Sequence, residues 1–299
     1  MIVQTSKIQL YYETFGEKSS QPILLHMGNS CDATMWPDSF CAELARKGMY
    51  VIRFDQRDTG LSTWVDFSTD PYTLLDMVQD VVSVLDALKI ERVNLVGYST
   101  GGLVAQLFAV HYPHRLNALI LMMTSTDLTI KNDAFAGLDL SHKKLTAPKE
   151  EFIKGILDLH SKPQTTLKEK ISFLVESFQL ANGKRCYFDH AFFSNLFAKS
   201  LKRVEGRLKK GGHESNHALA TSATPVILES ELAHIRAPTL IISGAQDPIF
   251  PPDHGASLHK LIPQSVLLLI EEMGHVLNPI FFDQIVCAFA FHILQRKTL

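Results

Sequence analysis

"VNLVGYSTGGLVAQ", residues 93–106, decides the fold. An apolar run from Val93 to Val96 gives way to Gly97, Tyr98, Ser99, Thr100, Gly101 and Gly102, and then turns apolar again at Leu103. A short apolar run bounded by glycine reads as a buried strand. The apolar stretch that follows has helical length, so Ser99 stands at a sharp strand-to-helix junction. On such a turn the serine oxygen projects above the sheet, where helix N–H groups favour developing negative charge. Gly97 and Gly101 let strand and helix approach closely. The pattern G-x-S-x-G taken alone is also compatible with a glycine-rich turn and an ordinary capping serine.

The flanking chain supplies the context. Strand-like runs occur at QLYYETF, PILLHM, YVIRFD, RVNLVGYS and NALILMMTS, with helix-length stretches at Thr73 to Lys89 and Thr100 to Tyr112. In the first of these stretches Leu74, Leu75, Val78, Val81, Val82, Leu85 and Leu88 recur at three and four, the stripe of a crossover helix. Strands alternating with helices predict a mostly parallel sheet covered on both faces. Near Asp127 the alternation stops. Residues 127–237 show only helical patterns, such as Phe188, Phe192, Leu196 and Leu201, broken at Ala147-Pro148, Lys162-Pro163, Asn182-Gly183 and Gly211-Gly212. Strands resume at PTLIISG and SVLLLIEEM, and a helix from Phe281 to Leu294 closes the chain. The expected organisation is a core in two parts, residues 1–126 and 238–299, with a helical cap inserted at 127–237.

A nucleophilic serine needs a base and an acid to orient it, which in this architecture follow in the order Ser, Asp, His at the ends of later strands. Asp247 lies just past PTLIISG and His275 just past SVLLLI, both at the carboxyl edge that carries Ser99. The expected catalytic residues are therefore Ser99, Asp247 and His275.

Composition narrows the rest. With 299 residues, 46% of them hydrophobic, the chain can bury a large core, and a net charge of −2 gives no overall field to recruit nucleic acid. No apolar run approaches the ~20 residues that span a bilayer, and the start shows no basic segment followed by a long apolar one. A cytoplasmic protein without a membrane span is expected. Cys31, Cys41, Cys186 and Cys287 lack C-x-x-C spacing and read mostly as buried thiols rather than metal ligands or disulfides.

With these residues in view, the chain resembles an α/β-hydrolase with a helical cap. Within that superfamily, "MGNSCDATMWPDSFCAELARKGMYVIRFDQRDTGLST" (27–63) and "AQDPIFPPDHGASLHKLIPQSVLLLIEEMGH" (245–275) are similar to the subgroup that contains the anthracycline methylesterases. The resemblance implies an oxyanion hole formed by the backbone N–H groups of Thr100 and Asn29, with Gly28 as the alternative donor. Many relatives begin that loop with His-Gly; here Met27 takes the His place and His26 falls one residue early, as a strand-end packing or hydrogen-bonding residue rather than a catalyst. "DQRDTGLS" (55–62) resembles the family's D-x-R-G-x-G-x-S turn with Asp58 in place of the first Gly, and Arg57 and Asp58 read as structural.

Two further features compete for attention. Lys199 to Lys210 holds six basic residues against Glu205 alone, which reads as a solvated helix face. "HESNH" (213–217) matches the literal H-E-x-x-H spacing of a zinc site, but two glycines precede it and no third ligand is evident. The expected activity is a serine hydrolase, cofactor-free and metal-free, acting through an acyl-enzyme on a small-molecule apolar ester. A lactone, amide or carbon–carbon bond is the alternative substrate, and a ligand-binding homologue without turnover is the alternative class. Of the eight phenylalanines in 127–237, most should pack helix on helix and a few should line an apolar pocket above Ser99, which would disfavour charged acyl groups.

Overall fold

The computed structural model describes residues 1–207, 216–225, 227 and 229–294. Eight strands form one sheet: β1 (Ile2–Gln4), β2 (Gln9–Phe15), β3 (Gln21–His26), β4 (Met49–Phe54), β5 (Val93–Tyr98), β6 (Leu116–Met122), β7 (Thr239–Gly244) and β8 (Ser265–Ile270). Their order is β1-β2-β4-β3-β5-β6-β7-β8. β2 pairs antiparallel with both β1 and β4, and every other pairing, from β4 across to β8, is parallel. A parallel strand with helices on both faces has no solvated side, and β4, β5 and β7 are accordingly buried at every position.

Helix α1 (Asp38–Arg46) and the last helix cover one face, and α2 (Leu74–Ala87) and α3 (Thr100–His111) cover the other. α2 begins where Thr73 and Asp76 cap each other reciprocally, which satisfies N–H groups the first turn would leave open. α3 is buried from Thr100 to Ala109, which explains its lack of a polar face. The predicted helices correspond closely to α2 and α3. β1 and α1 carried too few residues of clear period to be singled out.

Between β6 and β7 the described residues form helices only: α4 (Thr129–Phe135), α5 (Glu150–His160), α6 (Leu167–Ala181), α7 (His190–Arg203), α8 (Asn216–Ala223) and α9 (Glu229–Leu232). The breaks expected at Pro148, Pro163 and Gly183 lie at the ends of α5 and α6; Gly211-Gly212 falls outside the described residues. α10 (Pro252–Leu261) joins β7 to β8, and α11 (Phe282–Leu294) ends the fold. Among the described residues no helix is long and apolar enough to cross a membrane. All four cysteines are free: Cys41 is buried, Cys31 and Cys186 are partly so, and Cys287 is exposed, so the expectation of mostly buried thiols is too broad.

In the described part of the basic span, Lys199 and Lys202 are exposed as expected of a solvated face, but Arg203 and Arg207 bind the protein. Lys199 pairs with Asp38 at 2.6 Å, and Arg207 donates to the carbonyls of Gly60 and Ser62 and lies over the Trp64 ring. Arg203 turns inward to Asp55 at 2.8 Å and Asp32 at 3.1 Å, two carboxylates with almost no solvent contact. Lys209 and Lys210 lie outside the described residues. Arg203→Met would leave two buried carboxylates without their cation, and the expected cost is roughly 3–5 kcal/mol in urea unfolding. Adding Asp55→Asn to that variant should recover part of the loss; full additivity of the two losses would show that Arg203 does not neutralise Asp55.

Candidate active site

The turn after β5 is strained in the way the sequence requires. Ser99 has φ +54° and ψ −121°, a left-handed conformation that non-glycine residues rarely adopt. It is held there by its N–H donating to the Met122 carbonyl at 2.9 Å and its carbonyl accepting from the Thr124 hydroxyl at 2.7 Å. Both predicted glycines are sterically obligatory. A Cβ on Gly97 would sit 2.3 Å from the Gly101 carbonyl, and one on Gly101 would sit 2.4 Å from that of Met27.

Asp247, on the loop after β7, has no solvent exposure. Its Oδ1 accepts the N–H groups of Ile249 (2.8 Å) and Phe250 (2.9 Å), which leaves Oδ2 facing His275. His275, just after β8, donates from Nδ1 to Asp247 Oδ2 at 2.8 Å, so the Nε2 lone pair accepts from Ser99 Oγ at 3.1 Å. The Tyr98 hydroxyl donates to the His275 carbonyl, and the rings of Tyr98 and Phe250 flank the imidazole edge-on. The three residues singled out from sequence thus form one hydrogen-bonded chain.

The helical segment also holds this loop. The His275 N–H donates to the Ala181 carbonyl at the end of α6 at 2.7 Å, and the Asn278 amide donates to Asn182 Oδ1 (2.9 Å) and the Tyr187 carbonyl (2.7 Å). A Cβ on Gly274 would lie 2.3 Å from the Asn182 backbone. The sequence marked Asn182 only as part of a helix break and gave no pattern that pointed to Asn278.

Ser99 and His275 open on a cavity of about 190 Å³. Gly28 and Asn29 line its wall, and a Cβ on Gly28 would stand 3.0 Å from that of Ser99. The Gly28 carbonyl accepts from the Gln56 amide at 2.6 Å. Thr100 is buried at the first position of α3, where the backbone N–H has no intrahelical acceptor. Phe152, Phe178 and Phe193 line the cavity, while others of the eight pack helix on helix, as Phe197 on α7 meets Phe178 on α6 edge-on at 4.8 Å. Lys131 also lines it, a cation that the pattern of phenylalanines gave no reason to expect.

The remaining candidates lie elsewhere. Arg57 forms a two-pronged pair with Asp80 at 2.7 and 2.8 Å, and Asp58 accepts from Tyr72 and Asn216, so both bind protein rather than face the cavity. His217 accepts the Ser30 N–H on Nδ1 and donates from Nε2 to the Arg57 carbonyl at 2.8 Å, which engages both ring nitrogens. His213 and Glu214 lie outside the described residues. Among the described residues no group of His, Cys, Asp or Glu could hold a metal ion.

Comparison with known proteins agrees with the fold. The chain matches the family described as alpha/beta hydrolase fold over residues 21–279. It is 32% identical to a rhodomycin D methylesterase of Streptomyces sp. (strain C5) and covers 97% of each chain. It is 30% identical to that of Streptomyces peucetius, again over 97% of each. Among solved structures, the enol-lactonase of Burkholderia xenovorans LB400 superposes with a TM-score of 0.72 at 20% identity, covering 98% of this chain and 99% of that one.

His26 gives a test of the local packing. It is buried against Phe54 and donates from Nδ1 to the Met27 carbonyl, while its Nε2 has no hydrogen-bond partner among the described residues. Burial lowers its pKa to about 4. The unfolded chain, with a pKa of ~6.5 there, binds more protons between these values, so stability rises with pH from about 4 to 6.5. The His26 contribution to that rise is expected to reach about 2–3 kcal/mol. Denaturant unfolding at pH 4.5 and 7 should show a smaller pH effect in His26→Asn than in the parent; equal effects would mean that His26 takes up its proton in the folded state.

Proposed function

We propose, from the premise that this chain belongs to the alpha/beta hydrolase fold family, that it is a serine hydrolase cleaving a carboxylic ester through an acyl-enzyme. The observation that carries the reading is the bonded chain Ser99–His275–Asp247 opening on the cavity. Ser99 Oγ attacks the ester carbonyl carbon while His275 Nε2 takes its proton. Asp247 remains ionised, keeps Nδ1 protonated and stabilises the imidazolium. The tetrahedral intermediate collapses, the alcohol leaves with the proton from His275, and the acyl group stays on Ser99. Water, deprotonated by His275, then releases the acid and restores the serine.

The oxyanion of each intermediate is assigned to the backbone N–H groups of Asn29 and Thr100. A trans peptide sets C=O and the next N–H on opposite sides, so the Gln56 amide that holds the Gly28 carbonyl turns the Asn29 N–H the other way. That supports Asn29 over Gly28, whose own part is to leave room beside Ser99. The helices between 127 and 237 act as a cap whose phenylalanines cover the acyl group. The two methylesterase relatives make a methyl ester of a bulkier acid the substrate class to try first.

Turnover of p-nitrophenyl butyrate tests the reading. Ser99→Ala and His275→Ala should each lose ~10⁶ in kcat, and the double variant little more, because the residues act as a unit. Additive losses, or turnover retained in Ser99→Ala, would remove Ser99 as the nucleophile, whereas no turnover with Ser99 intact would favour a ligand-binding role. Gln56→Leu should lower kcat ~10- to 100-fold with KM nearly constant, since donors to an oxyanion act on the transition state. A matching rise in KM would make Gln56 a binding residue instead.

A further inference from the structure

Lys131, on α4, lines the same cavity as Ser99 and His275. The acids nearest in sequence are taken by another cation: Lys143 holds Asp127 and Asp133, each at 3.2 Å. Among the described residues the Lys131 ammonium makes no hydrogen bond or ion pair, and none of the residues lining the cavity is a carboxylate. Cys31, which also lines it, is no counterion, because burial pushes its thiol up to about 12. Lys131 itself is held below the ordinary lysine range, first by burial, with Cys31 acting in the opposite direction. The cavity walls it shares are largely apolar, with Phe152, Ile156 and Ile249 among them. Lys131 is half-buried, and a cation drawn partly out of water without a partner is destabilised, which an anionic oxygen delivered by a ligand would offset.

We propose that Lys131 is an anion-binding position within the ester site, so that the preferred substrate is an ester carrying a second, acidic group. The inference rests on the reading of the cavity as the ester site and changes one expectation drawn from sequence: apolar walls alone would exclude a charged substrate, whereas walls bearing one unpaired ammonium select it. The acidic group is a carboxylate or an acidic enol or phenol, since each presents the anionic oxygen that an ammonium binds as a point charge.

The test separates this inference from turnover. In the Ser99→Ala protein, affinities for monomethyl adipate, which is anionic, and dimethyl adipate, which is neutral, are measured by calorimetry. Lys131→Met should reduce the affinity for the monoester relative to the diester roughly 10- to 100-fold, the range of a lost charged hydrogen bond. Lys131→Arg should keep the preference. Lys131→Gln gives the same readout if the methionine variant does not fold. An unchanged ratio, or equal losses for both esters, overturns the anion-binding position and leaves the hydrolase reading standing. Conversely, a preference lost in Lys131→Met, when the protein with Ser99 intact hydrolyses neither ester, overturns the hydrolase reading alone.

Discussion

One buried carboxylate, Asp55, fixes the ground on which the candidate site stands. It accepts the N–H groups of Ala33 and Leu61, each at 2.8 Å, and the guanidinium of Arg203. Three segments distant in sequence therefore converge on it: the loop after β3, the turn after β4 and the end of α7. Gly60 has no side chain because a Cβ there would meet Asp55 Oδ2 at 2.2 Å. Burial, with the charge of Asp32 beside it, pushes the Asp55 carboxyl above its usual range, so the charge is tolerated only because its partners are all in place. The next residue, Gln56, holds the Gly28 carbonyl, and through this adjacent pair the wall beside Ser99 takes its position from the core of the sheet.

Much of this architecture was legible because it repeats simple periods. The run Val93 to Val96 and the helix after it had to be a buried strand and a buried helix, and the two glycines around Ser99 had to be glycines, since any side chain would strike backbone. Asp247 and His275 were legible by place alone: each follows a strand whose carboxyl end meets the edge that carries Ser99. The likeness to the methylesterases could be seen in the stretches around residues 27–63 and 245–275, and the relatives found match along nearly the whole chain.

What stayed hidden depends on contacts between distant residues. A one-dimensional count made Lys199 to Lys210 a charged face, because nothing in its spacing shows that Arg203 meets two carboxylates, Asp55 and Asp32, supplied by loops far earlier in the chain. The same holds for Lys131. Its neighbours Asp127 and Asp133 would have been taken for its partners, and only the packing shows that Lys143 occupies both. Gln56 reads as a polar loop residue until the fold lays it under the Gly28 carbonyl. Polar residues whose role lies in three dimensions leave no period to read.

The joint between α6 and the His275 loop bears on how such proteins can be recombined. The Ala181 carbonyl, the Asn182 side chain and the Tyr187 carbonyl on one side meet the His275 N–H and the Asn278 amide on the other, across a gap too narrow for a side chain at Gly274. The helical segment is therefore not a module that can be exchanged freely to change specificity. A chimera that took residues 127–237 from a relative would bring a foreign surface against 274–278, and the imidazole would lose the backbone anchor that sets its angle. Exchange has to respect this seam: residues 181–187 and 274–278 travel together as one unit, and the rest of the helical segment is what remains free to vary.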